Sequence, residues 1–250
     1  MKKTNTFERP SATQRIHIAI ALLSFMLMGV ASVHADILAS YDMQTSAARN
    51  SPSSVNADVS AGSLTGNNLN AYGASWLSDG SDFYTTWSRA SGTDGTGQTT
   101  ADQVLSVATY FSLTLTPDAG KQLDFSSLSF DAFASTGNTG SQRQIYVFTD
   151  KTGFASGDQL LSVSTFAGYD GPLIPYNTAS VGQNFSVDLT GVANVADSIT
   201  FRFYVQAPDA GQSLSFDDIT LNGSVVPEPA SMALISVAGL ALFILRRLQM

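Results

Sequence analysis

Cysteine is absent from this 250-residue chain, and histidine occurs only at His17 and His34. Without cysteine there is no thiol nucleophile, no thiolate metal site and no disulfide. Both histidines fall within residues 1–35. The rest of the chain therefore has no Ser-His-Asp or Cys-His arrangement and no histidine zinc site. Glutamate is scarce as well: Glu8 and Glu228 stand against 18 aspartates. Lys+Arg number 12 against 20 acidic residues, a formal net charge of -8. The acidic balance argues against a nucleic-acid binder, which would need a basic face. No P-loop, dinucleotide fingerprint or nucleophile elbow occurs. Acid–base chemistry would rest on Asp, Tyr or Lys. An aspartate pair suffices for glycoside hydrolysis, so an Asp-based polysaccharide hydrolase is the remaining enzymatic alternative to a non-enzymatic protein. The hydrophobic fraction of 44%, with 10% aromatics, is enough for a core.

The two ends are the richest in signal. Lys2, Lys3, Arg9 and Arg15 form a basic region, followed by an apolar run from Ile16 to about Val30. Val33 and Ala35 place small residues at the −3 and −1 positions of a cleavage site, so residues 1–35 read as a signal peptide cut after Ala35. At the other end, Ala230 to Leu245 carries no charge and is followed by Arg246 and Arg247. The run is a little short of the ~20 residues of a spanning helix, and snorkelling arginines make up the difference. The arginine pair places the bulk of the chain outside the cytoplasm. Pro227 and Pro229 stiffen the approach around Glu228.

The tail Val-Pro-Glu-Pro-Ala-Ser (226–231), one apolar helix and a terminal arginine pair resembles the PEP-CTERM sorting signal. The resemblance implies recognition by an exosortase, a membrane protease of exopolysaccharide-producing Gram-negative bacteria. It implies a membrane-anchored precursor held by the C-terminal helix and cleavage near Pro227, Glu228 and Pro229. Delivery to the outer surface or to an extracellular biofilm matrix of exopolysaccharide would follow.

Between the ends, residues 36–226 hold 18 aspartates against six basic residues, about -12 at neutral pH. Their dominant pattern has a period of two. Ile37, Ala39, Tyr41 and Met43 alternate with polar or neutral neighbours. So do Phe111, Leu113 and Leu115; Phe185, Val187 and Leu189; and Ile199, Phe201, Phe203 and Val205. Ile145 to Phe148 is a short apolar run, and no internal segment shows a clear helical period. The expected fold is all-β: an antiparallel, jelly-roll-like β-sandwich whose first and last strands lie close together. Residues 44–103 read as loop-rich, with one or two irregular strands. The segments from Tyr110 to Gly120, Ser126 to Ser135, Ile145 to Phe154 and Ile199 to Pro229 are similar to β-sandwich ectodomains often found on PEP-CTERM proteins. Lys151-Thr152 departs from the Asp-Gly turn usual there.

Two phase breaks require β-bulges. Leu123 and Phe125 are out of phase with Leu128 and Phe130, and Leu214 and Phe216 with Ile219 and Leu221. Asp217 and Asp218 occupy the second break, and Asp42 falls beside them if the first and last strands pair. These three are candidate ligands for calcium, with caps of bulges and turns in water as the alternative. Trp76, Tyr84 and Trp87 lie in a Trp/Tyr/Asp-rich stretch. Their rings either plug one end of the sandwich or stack on sugars, as in a carbohydrate-binding module.

Overall fold

The computed structural model describes residues 35–43, 50–67, 84–87, 100–134, 143–161, 173–174, 183–206 and 213–228. Residues 1–34, Trp76, Pro229, the apolar run 230–245, Arg246 and Arg247 lie outside them. Among the described residues no helix is long and apolar enough to cross a membrane.

Among the described residues, twelve strands and one α-helix follow in order: β1 (Asp36–Tyr41), β2 (Ser54–Val55), β3 (Val59–Ala61), β4 (Thr65–Asn67), β5 (Tyr84–Trp87), α1 (Ala101–Val107), β6 (Tyr110–Pro117), β7 (Lys121–Ala134), β8 (Arg143–Thr149), β9 (Leu173–Ile174), β10 (Gln183–Asp188), β11 (Ile199–Gln206) and β12 (Ser213–Pro227). Every strand pairing is antiparallel. One sheet runs β10-β7-β12-β1-β2, with β5 on β12; the other runs β3-β6-β11-β8-β9, with β4 on β6. Successive long strands alternate between the sheets, and β1-β12-β7-β10 opposite β6-β11-β8-β9 is jelly-roll order.

The period of two explains the packing. Phe111, Leu113 and Leu115 of β6, and Phe201 and Phe203 of β11, are almost fully buried between the sheets. Phe111 stacks on Phe203 at 4.6 Å between ring centroids. Across the interior, Phe130 of β7 meets Phe203 edge-on at 5.5 Å, and Phe125 meets Phe201 at 5.6 Å. Such ring pairs add roughly 0.5–1.5 kcal/mol beyond the area they bury.

Both expected bulges are present, on the paired strands β7 and β12. Between Asp217 and Thr220, β12 carries one residue more than its partner; between Asn222 and Gly223 the extra residue, Ser126, is on β7. The offset opened by the first bulge is closed by the second, so the two ends of this long pair keep one register. Asp218 takes φ 49°, the left-handed conformation that lets the chain double up there.

Three expectations need correction. Ile37 does not point inward: a bulge between Ile37 and Ala39 turns it out, 48% exposed, and puts Leu38 in the core. The described residues of the stretch 44–103 hold four short strands, β2 to β5, and the start of a helix. That helix, α1, escaped the periodicity because it is only two turns long. Ala101, Val104 and Leu105 nonetheless make an i, i+3, i+4 stripe, and Ala101 and Val104 are buried. The Thr100 N–H donates to Gln103 Oε1 at 3.3 Å, half of a capping box, and Ala108 ends the helix in the left-handed region.

Candidate functional site

Pro227 and Glu228, the described residues of the expected sorting motif, are part of the fold. Pro227 is the last residue of β12, opposite Lys121, and the Glu228 N–H donates to the Gly120 carbonyl at 3.0 Å. At the other end Ala35 is exposed, directly before β1. Asp36 pairs with Gly223, so the chain enters and leaves the sandwich at the same end of one sheet.

Of the aromatic trio, Trp76 lies outside the described residues. Tyr84 and Trp87 are the first and last residues of β5, opposite Phe216 and Ser213, on strand backbone rather than in a loop. There β5 extends the edge of β12 that β1 vacates after Tyr41.

Asp42 does come close to the β12 bulge. The Asp218 carboxyl is pushed above its ordinary range, first by burial and then by the charges of Asp131 and Asp42. Asp217 pairs with Asp131 across the strands and is 6% exposed. These carboxylates do not form a cage. Asp217 Oδ1 accepts the Asp218 N–H at 2.8 Å, and Asp131 Oδ1 accepts Asn184 Nδ2 at 2.7 Å. Among the described residues no three carboxylate or imidazole groups are arranged to hold a metal ion. The aspartates of the calcium expectation are neighbours, and the hydrogen bonds to Asp217 and Asp131 serve the bulge and its flanking strands.

A different cluster stands on the outer face of the β6-β11-β8 sheet. From Gln144 to Thr149, β8 is buried on both faces, because α1 and the turns after β8 cover its outer side. Ala101, Val104, Tyr146, Phe148 and Tyr204 form this second core, with Leu105, Tyr110 and Phe154 half-buried at its margin. The Tyr146 hydroxyl donates to Gln144 Oε1 at 2.9 Å. At the margin lies Arg202. Its Cζ is 4.7 Å from the centroid of the Tyr110 ring and 4.0 Å from that of Phe154. The rings arrive from opposite flanks: Tyr110 from β6, Phe154 from the segment after β8. Arg202 Nη1 donates to the Tyr204 hydroxyl at 3.4 Å. Burial raises the Tyr204 pKa, and the Arg202 charge opposes that rise.

Local structure sets up this contact. The Gly153 N–H donates to the Thr149 carbonyl at 3.0 Å, closing a turn, and Gly153 adopts φ 117°, which side-chain-bearing residues rarely take. A Cβ there would also meet the Asp158 carboxylate. Phe154 follows at once and lies over the guanidinium. Sequence reasoning sorted Arg202 and Tyr204 only as outward-facing residues of β11. The readable signal was the unbroken apolar run of β8, which implies a covered outer face.

No family model and no curated protein matches the chain. Among solved structures, the chain is similar to the CBM22-1 xylan-binding domain from Paenibacillus barcinonensis Xyn10C, at 14% identity over 78% of this chain and 98% of that one, TM-score 0.31. It is also similar to the K3 cleaved adhesin domain of Lys-gingipain from Porphyromonas gingivalis w83, at 15% identity over 74% and 99%, TM-score 0.36. The K2 adhesin domain of Lys-gingipain matches at 16% identity over 75% and 99%, TM-score 0.31. No residue role is carried over from them.

Proposed function

We propose that this chain is an exported, non-enzymatic β-sandwich protein. Its tail is processed by an exosortase, and it is delivered to the cell surface or to an exopolysaccharide matrix. The observation that carries this reading is the position of the two chain ends. β1 and β12 are antiparallel neighbours, with Asp36 opposite Gly223 and only four residues from there to the Pro227 that begins the sorting motif. While the leader is uncut, both ends of the domain are tethered to the membrane, and a domain whose ends lie on one side can fold in that state. The test is mass spectrometry of the protein from an exosortase-bearing host and from the same host lacking that protease. Release with the Arg246-Arg247 tail removed, only in the first strain, is expected. Recovery from the inner membrane alone, tail intact in both, would overturn the reading.

A second reading, binding of matrix polysaccharide, is favoured by the rings that meet a guanidinium on the outer sheet face. Aromatic faces stack on sugar rings and arginine donates to sugar oxygens. Retention of the exported protein on the host's exopolysaccharide tests it.

A further inference from the structure

We infer that Arg202, between Tyr110 and Phe154, is a binding position for a carboxylate-bearing sugar, so that the polysaccharide recognised is a polyuronate. The inference rests on the polysaccharide-binding reading above and names its ligand class.

Three observations converge. First, the guanidinium has few partners. It carries five N–H donors, and its one hydrogen bond within the described residues is that from Nη1 to the Tyr204 hydroxyl, at a long 3.4 Å. Among those residues the ion pair found is Lys121 with Asp58, on a different part of the sandwich. Arg202 is half-buried, and no carboxylate partner for it is found among the described residues.

Second, the guanidinium is open in part. Tyr110 and Phe154 both lie over the guanidinium, their ring centroids 4.7 and 4.0 Å from Cζ, while Arg202 keeps part of its surface exposed. A carboxylate is planar and accepts the arginine fork in the guanidinium plane. A tetrahedral sulfate or phosphate can also engage the fork, so dextran sulfate is the competing ligand in the test.

Third, the half-buried rings supply apolar surface beside the fork. A uronate residue presents apolar C–H groups on its ring and a carboxylate at its edge, and so matches both elements together. General attraction to polyanions is not the cause, since the ectodomain charge is about -12 and opposes it. At about 0.15 M salt the repulsion is screened within about 8 Å, and contact at Arg202 decides.

The test uses the full chain in detergent at about 0.15 M salt, titrated calorimetrically with polygalacturonate, with its methyl ester, with dextran sulfate and with neutral dextran. Saturable binding to polygalacturonate, at least tenfold tighter than to the other three, is expected. Arg202→Gln should remove that preference. Arg202→Lys should retain part of it, because lysine keeps the charge and loses the fork. Melting temperatures of the variants identify any loss caused by unfolding, and the ester comparison on the unmodified protein needs no variant. Equal binding to polygalacturonate and its ester, or preference for dextran sulfate, overturns the carboxylate assignment. Retention on the host's exopolysaccharide without binding to polygalacturonate overturns this inference and leaves the polysaccharide-binding reading standing. Failure with every polymer, the host's exopolysaccharide included, overturns both.

Discussion

The Asp218 N–H donates to the Oδ1 of Asp217 at 2.8 Å, one residue back along the chain, and Asp218 itself is bent into the left-handed region at φ 49°. The bulge is thus held by one aspartate and strained at the next. Asp218 also has its pKa raised above the ordinary 3.8, by burial and by Asp131 and Asp42. A raised acid pKa means the native state holds its proton more readily than the unfolded chain does. Stability therefore falls as pH rises through the interval above 3.8 and stays lower at neutral pH. Asp218→Asn removes the charge and keeps a residue tolerant of positive φ. We expect Tm to rise by about 1–2 °C at pH 7, a small gain because the group is exposed and screened. The gain should vanish as pH falls through the interval to 3.8, which thermal melts across pH 3–7 will check.

The Tyr41 side chain is fully buried and its hydroxyl donates to the Gly62 carbonyl at 2.6 Å, tying β1 to the β3–β4 connection of the opposite sheet. Tyr41→Phe should cost about 1 kcal/mol, because a part-buried hydrogen bond is lost. Burial also pushes the Tyr41 hydroxyl well above its ordinary 10.0. The unfolded chain releases that proton near pH 10 while the native state keeps it, so stability should decline above pH 10. Urea unfolding at pH 9 and pH 10.5 should show a smaller decline in the Phe variant.

Gly223 marks a close approach of β7 and β12. A Cβ there would run into the Asp124 carbonyl, with Leu38 Cδ1 at 2.9 Å and Phe125 Cα at 3.0 Å. Two of these obstacles are backbone, in the sheet's central strand pair. Gly223→Ala should destabilise by about 3 kcal/mol, the upper part of the overpacking range, in chemical denaturation. An unchanged midpoint would show that the second bulge can shift to make room.

The strand pattern was legible because alternation records which face is wet, and the bulges were legible because a phase break between Phe125 and Leu128, or Phe216 and Ile219, permits no continuous strand. The pairing of first and last strands followed from the same logic. Ile37 misled, since a bulge one residue on reversed its face and made Leu38 the core residue. Helix α1 was hidden by its length, as two turns give one apolar stripe and no repeat of it. The Arg202 cluster was out of reach for a different reason. Alternation puts Arg202 and Tyr110 on an outer face, but only the fold brings Phe154 across from the turn after β8. The closeness of Asp42 to Asp218 was foreseen; the hydrogen bonds that occupy Asp217 and Asp131 were not, because they belong to the bulge geometry and to the neighbouring β10.

The final segment of β12 provides a test of where processing can fall. Gly223 to Pro227 pair with Phe125 to Lys121, and Glu228 adds the bond to Gly120. Along this stretch β12 is bonded to β7 on one side, while β1 begins at Asp36 opposite Gly223. Ser224 and Val225 are buried or half-buried, so the segment is part of the domain and not a linker. A chain ending at residue 228 keeps every one of these pairs; a chain ending at residue 222 loses them all and uncovers Leu123 and Phe125. The first should melt at the temperature of the uncut ectodomain. The second should melt many degrees lower, since burial of Leu and Phe side chains contributes roughly 1.5–3 kcal/mol each. Calorimetry on the two truncations decides this. A protease acting on the folded protein is accordingly expected to leave Glu228 attached, and intact-mass analysis of the mature chain should place its C-terminus at residue 228 or beyond. A mature end upstream of Pro227 would mean that cutting precedes folding of the last strand.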